Sequence, residues 1–199
     1  MTQLDYRKAI IDYIRAEAKP PDKFSHQPRL FALACQLAGN QPFDEDVVFA
    51  AAWLHDLGVF IGHRPEDPTA LAAWDNVAYA VKHAPDLLKQ FHFPQEKAPA
   101  VLDAIRTHLP SCNPTSFEGT LLRDADILEQ LGAVGIMRAF CKVGRDTRFT
   151  TFGDVLQVLR RNADELPTKL KLESARALAQ PRIKLLCDFL QAATTEANE

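Results

Sequence analysis

Apolar residues recur at three- and four-residue intervals along almost the whole chain, while alternating β-branched runs are nearly absent. That period puts one apolar face on a helix, whereas a half-buried strand needs strict alternation. The pattern predicts an all-α fold. A first helix is expected from about Leu4 to Ala18, stopped by Pro20-Pro21, whose rings cannot continue it. A second runs from Ser25 or His26 to Leu37 and ends near Gly39-Asn40. Asp44 is placed to cap a third, whose run VVFAAAWLHDLG is apolar on nearly all sides, as a central helix must be. Gly58 stands where that helix should end.

Farther on, the polar GHRPEDP at 62–68 reads as a loop, with helices at about 69–83, 85–91 and 95–108. Pro110 to Glu118 reads as a second loop, followed by one long helix from about Gly119 to Lys142. GRDTRFTTFGD is a third break, with helices near 154–163 and 169–194. No repeat, low-complexity tract or dividing linker interrupts the chain. It is therefore read as one domain, a single helical bundle over 1–199.

Composition narrows the setting. A chain of 199 residues can bury one well-formed core. Its net charge of −3 provides no global positive field, which argues against a nucleic-acid partner. No apolar run approaches the roughly 20 residues that span a bilayer, and MTQLDYRKAI lacks a signal-peptide core. The expectation is a cytoplasmic protein with no membrane partner, as a monomer or homodimer. The four cysteines, Cys35, Cys112, Cys141 and Cys187, form no C-x-x-C pair, which argues against a zinc knuckle or a disulfide scaffold. They read as buried free thiols.

Polar groups on buried helices need partners, because an unpaired charge in an apolar core is costly. His55 and Asp56 close the central apolar run. Adjacent residues point about 100° apart on a helix, yet both can reach one ion lying off its C-terminal end. Alone, the pair reads first as a hydrogen-bonded core contact and is weak evidence for a metal. Of the six histidines, four stand at or near expected helix ends: His26, His55, His83 and His108. Asp124 and Asp126 share the apolar stretch LLRDADILEQLGAVGIMRAF about 200° apart, so at most one faces a common site. Imidazole and carboxylate donors in this mixture suit manganese, iron, cobalt, nickel or zinc better than calcium. His63, in the loop GHRPED, is solvated or serves as a lid or proton donor. His92, in QFHFP, reads as a surface or interface residue.

Taken together, these residues resemble the HD superfamily of metal-dependent phosphohydrolases, and more closely its small stand-alone bacterial members, some of them nucleotide pyrophosphatases. The resemblance lies in His26, Arg29, Leu33 and Ala34, then Leu54-His55-Asp56, then DADILEQLGAVGIMR from Asp124 to Arg138. KLKLESARALAQPRIKLLCDFL extends it toward residue 190. The resemblance implies a metal-binding core over about 25–142, with C-terminal helices at about 152–194 packed on it. It implies one ion held by His26, His55, Asp56 and Asp126, with Asp126 preferred to Asp124 because a Leu-containing step follows it. The intervals to His83 and His108 resemble the dinuclear branch, where both would hold a second ion bridged by Asp56. Two departures stand out: Ile127 and Glu129 replace an Arg and an Asp common in relatives, and HDLGVF lacks the Glu-Asp pair of alarmone hydrolases.

The expected activity is hydrolysis of a small phosphorylated metabolite, a nucleotide first, through a metal-activated water with Asp56 accepting its proton. Arg29, Lys82, Arg106 and Arg138 are the candidates for holding phosphate, Arg29 foremost because i, i+3 spacing puts it on the face of His26. Two alternatives remain open: an iron-dependent oxygenase of the HD type, and a metal- or nucleotide-binding regulatory module without turnover.

Overall fold

The computed structural model describes residues 3–145 and 149–196. Among these, ten α-helices linked by short turns carry the fold, and the one extended pairing is an isolated bridge between Ile61 and Arg64. The all-α expectation holds. By internal contacts the chain divides into two compact units, Met1–Arg123 and Asp124–Glu199.

In the first unit, α1 (Gln3–Glu17), α2 (His26–Ala38), α3 (Glu45–Leu54), the short α4 (Pro68–Ala72), α5 (Asn76–Gln90) and α6 (Ala98–Thr107) follow in order. α3 packs against α1, α2 and α6, and α5 packs against α6. Every residue of α3 from Asp46 to Leu54 is buried, as its unbroken apolar run requires. Asp44 caps it, its carboxylate accepting from the backbone N–H groups of Asp46 and Val47. α2 stops at Gly39, whose φ of 57° side-chain-bearing residues adopt at a cost.

Two expected boundaries move. The helix read over 69–83 is broken at Ala73–Asp75, because Asp75 takes the N-cap of α5, accepting from Ala78 N–H at 2.8 Å. No break occurs at Ala84, and Pro85 sits inside α5. Pro85 forfeits one helical hydrogen bond, but Ala80, Ala84 and Leu88 are fully buried on one face, and that packing carries the helix through.

The long helix expected over 119–142 is two, α7 (Phe117–Leu128) and α8 (Gly132–Phe140). Gly132 has φ +66°, and a Cβ there would lie 3.0 Å from the Arg182 side chain. Arg182 closes the end of α7 by donating from Nη1 to Leu128 O at 2.7 Å. In the second unit α8, α9 (Phe152–Glu165) and α10 (Glu173–Glu196) pack on one another. A capping box of Thr151 and Asp154 opens α9. Part of the break read at GRDTRFTTFGD, residues 146–148, lies outside the described residues.

The cysteines are free but not all buried: Cys35 and Cys112 are half-buried, whereas Cys141 and Cys187 are exposed. Their expected burial is corrected by position, since Cys141 ends α8 and Cys187 lies on the outer face of α10. His92 is exposed, as read from the sequence. No helix among the described residues is long and apolar enough to cross a membrane.

Candidate metal centre

The C-terminal end of α3 builds the site. The last carbonyls of an α-helix lack donors within the helix. His55, the C-cap residue, satisfies one with its own ring, Nδ1–H donating to Ala52 O at 3.0 Å. That bond keeps the proton on Nδ1 and leaves Nε2 as a lone-pair donor, the usual arrangement for a metal-binding imidazole. His55 Nε2 stands 3.5 Å from Asp56 Oδ1. His26, the first residue of α2, brings its Nε2 to 3.8 Å from Asp56 Oδ2. One ligand atom from each of these three residues falls within 4.8 Å of the others.

Donors bound at about 2.1 Å to one ion stand roughly 3–3.5 Å apart, so small side-chain adjustments suffice to close the set. The donor chemistry fits a divalent transition cation: two nearly inaccessible imidazoles (3% and 1% exposed) and one carboxylate. The partial negative charge at the end of α3 adds to the attraction. Asp56 keeps 17% of its side chain exposed, so the set opens toward solvent on the carboxylate side.

α6 ends in the same way as α3. Its C-cap, His108, is buried and donates from Nδ1 to Ile105 O at 2.6 Å. The His108 ring stands edge-on to His55 with centroids 5.0 Å apart, and His55 stands 5.3 Å from His26. Three imidazoles thus line up at the helix ends. His83 is half-buried on α5, its ring tilted against that of Tyr79 with centroids 4.1 Å apart.

The cationic candidates are unequal. Arg29 is half-buried on α2, one turn after His26. Lys82 is exposed, and exposed Arg106 lies 3.8 Å from Asp103 on its own helix. In the second unit, Arg138 faces Glu129 at 3.3 Å. There too Asp124 is fully buried, and its Oδ2 accepts from the backbone N–H groups of Lys171 and Leu172 at 2.8 and 2.7 Å. Asp126, 8% exposed, has Oδ2 3.3 Å from Gln130 Nε2. The periodicity of DADILEQLG had not separated these two aspartates.

His63 is not simply a solvated loop residue, its side chain being only 12% exposed. Its Nδ1 donates to Leu57 O at 2.8 Å and its Nε2 reaches Glu17 on α1 at 2.9 Å. Burial, followed by the Glu17 charge, raises the neighbouring Tyr79 phenol above its ordinary pKa and keeps it protonated. The turn behind Asp56 is tight: a Cβ on Gly58 would lie 2.4 Å from Asn76 O and 2.6 Å from Asn76 Cα. Neither contact is the far end of a flexible side chain. Gly58→Ala is therefore expected to lower unfolding free energy by about 2 kcal/mol in urea denaturation, and an unchanged midpoint would refute this close approach.

A separate open cleft of about 830 Å³ surrounds the N-terminal end of α3, lined by Arg7, Pro42, Phe43, Asp44, Glu45, Asp46 and Lys97. The length of α3 separates it from His55 by about 15 Å. Its charges pair with one another: Arg7 with Glu45 and Asp46, and Lys97 with Asp44 and Asp46. Hydrogen bonds donated by Lys97 to Asp46, and then to Asp44, raise its pKa well above the usual ammonium value. Cations so engaged are poor phosphate ligands.

A family model for the HD domain matches residues 24–131, more than half of the chain. The chain belongs to the HD-domain family. The Bacillus subtilis protein YpgQ is 26% identical to this HD protein over 96% of its length and 92% of YpgQ. The YpgQ crystal structure superposes with a TM-score of 0.74 at 23% identity, covering 98% of this chain and 97% of that one. A predicted HD superfamily hydrolase from an uncultured Thermotogales bacterium matches at a TM-score of 0.64 and 26% identity, covering 95% and 91%. YpgQ has also been solved in complex with ADP; that structure matches at a TM-score of 0.68 and 22% identity, covering 96% and 97%.

Proposed function

We propose that this HD protein is a divalent-metal-dependent phosphohydrolase whose first substrate class is the nucleotides. The observation that carries the reading is the meeting of His26, His55 and Asp56 within ligand distance, with the His55 lone pair directed by its bond to Ala52 O. Membership of the HD family supports it, and the ADP bound by YpgQ favours a nucleotide over other phosphate esters.

In this reading His26, His55 and Asp56 hold the ion. Asp126 completes the set on the strength of the sequence pattern, since Asp124 spends one carboxylate oxygen on two backbone N–H groups. His108, whose bond to Ile105 O leaves Nε2 as an acceptor, and His83 would hold a second ion, should one bind. A divalent cation bound there lowers the pKa of a coordinated water and draws charge from a phosphate oxygen.

The chain's own groups perform the rest. Asp56 takes the proton of the attacking water, being the anionic member of the trio and the one open to solvent. The buried imidazoles keep bulk water off the other side. Arg29 is the first candidate for holding the remaining phosphates by charge-assisted hydrogen bonds. Lys82, Arg106 and Arg138 follow it.

The test is a screen of nucleoside mono-, di- and triphosphates and cyclic nucleotides with manganese, cobalt, nickel and magnesium. Metal content and oxygen uptake are recorded on the same samples. Release of phosphate, pyrophosphate or opened cyclic nucleotide, abolished by chelation and restored by the metal, is the expected result. Protein that retains manganese but hydrolyses none of these compounds overturns the reading, and oxygen uptake in its place would point to the oxidative alternative.

A further inference from the structure

The residues directly behind Asp56 are held in an unusual way. Leu57, Gly58 and Val59 form one short 3-10 turn, closed by Val59 N–H donating to Asp56 O at 3.0 Å. Two successive carbonyls of that turn accept from side chains. Leu57 O takes its bond from His63 Nδ1 at 2.8 Å, and Gly58 O from the Trp74 indole Nε1 at 2.8 Å. Both donors come from residues later in the chain, and both are themselves braced. His63 is anchored through Nε2 to Glu17 on α1. Tyr79 packs on both, its ring 5.5 Å from His63 and 5.4 Å from Trp74. On the other side the backbone of Asn76 touches Gly58 too closely to admit a Cβ.

A buried carbonyl left without a donor costs about 1–3 kcal/mol, so a short turn with two such groups settles where donors await it. Here two donors, with the Asn76 backbone packed against Gly58, confine the turn that fixes the Asp56 backbone. We propose that His63 and Trp74 are positioning residues that set the placement of Asp56 as a metal ligand. The proposal rests on the reading of Asp56 given above. It assigns no contact between either residue and the ion or substrate. Their effect reaches the metal through the main chain of residues 56–58.

The experiment is a manganese titration followed by the electron paramagnetic resonance signal of the free ion, with thermal unfolding measured on the same samples. Trp74→Phe keeps the aromatic packing and removes the N–H. His63→Leu removes the donor, whereas His63→Asn places an amide N–H at the same distance from Cβ as the imidazole Nδ1. Trp74→Phe and His63→Leu are each expected to weaken manganese binding about tenfold, the scale of lost outer-shell hydrogen bonds, and His63→Asn to recover most of the loss. Binding by Trp74→Phe and His63→Leu within about twofold of the wild-type protein overturns the proposal. So does an Asn variant as weak as the Leu variant, because then the ring supplies bulk and not a bond. Wild-type protein that binds no manganese, or any other divalent ion of the screen, would instead refute the metal centre itself and the positioning role with it.

Discussion

Asp56→Asn is expected to purify without its metal and to turn over nucleotides at least about a thousandfold more slowly than the wild-type protein. Asp56 is the anion of the trio, and without its charge two neutral imidazoles remain. The substitution alters one atom, and 17% of the side chain is exposed, so the fold should tolerate it. Elemental analysis of the purified protein and steady-state kinetics with added manganese give the answer. Wild-type metal content combined with wild-type kcat would remove Asp56 from the chemistry. Retained metal with lost turnover would confine its role to the proton.

The second large effect separates the two aspartates of DADILEQLG. Asp124→Ala removes a buried acceptor from the backbone N–H groups of Lys171 and Leu172. Losing hydrogen bonds to a charged group should lower stability by about 3 kcal/mol. For a chain of this size that corresponds to a fall in Tm on the order of 6–12 °C. Asp126→Ala is expected to change Tm by no more than about 3 °C and to abolish metal retention. Calorimetry and metal analysis on both variants decide the matter. If Asp124→Ala folds normally and loses the metal while Asp126→Ala keeps it, the last ligand is Asp124.

Much of this was readable from residue order because it depends on local rules. Asp44 ahead of an apolar run caps a helix, and a run apolar on every side must be central; α3 obeys both. The ordered His26, His55 and Asp56 pointed to one ion, and the three side chains do meet. What the sequence did not disclose depended on partners distant in the chain. The break at Gly132 owes its form to Arg182, which fills the space a Cβ would need. The break before α5 follows from Asp75 outcompeting a continuous apolar period, with Trp74 turned toward Gly58. His63 looked like a loop residue because Glu17, its partner, lies 46 positions earlier. No local pattern reports such a pairing. The signal that could have drawn attention to Trp74 was a large indole between a short helix and a cap, where an N–H requires an acceptor.

The bond from His55 Nδ1 to Ala52 O has a consequence for how this protein can drift in sequence. The aim of the ligand is written into peptide carbonyls, which every amino acid possesses, and His108 shares the device through Ile105. Exchanging Ala52 or Ile105 for another residue that keeps the helix intact would leave both imidazoles pointing as they do. Lineages can therefore remodel the walls around these rings without first having to re-aim the rings themselves.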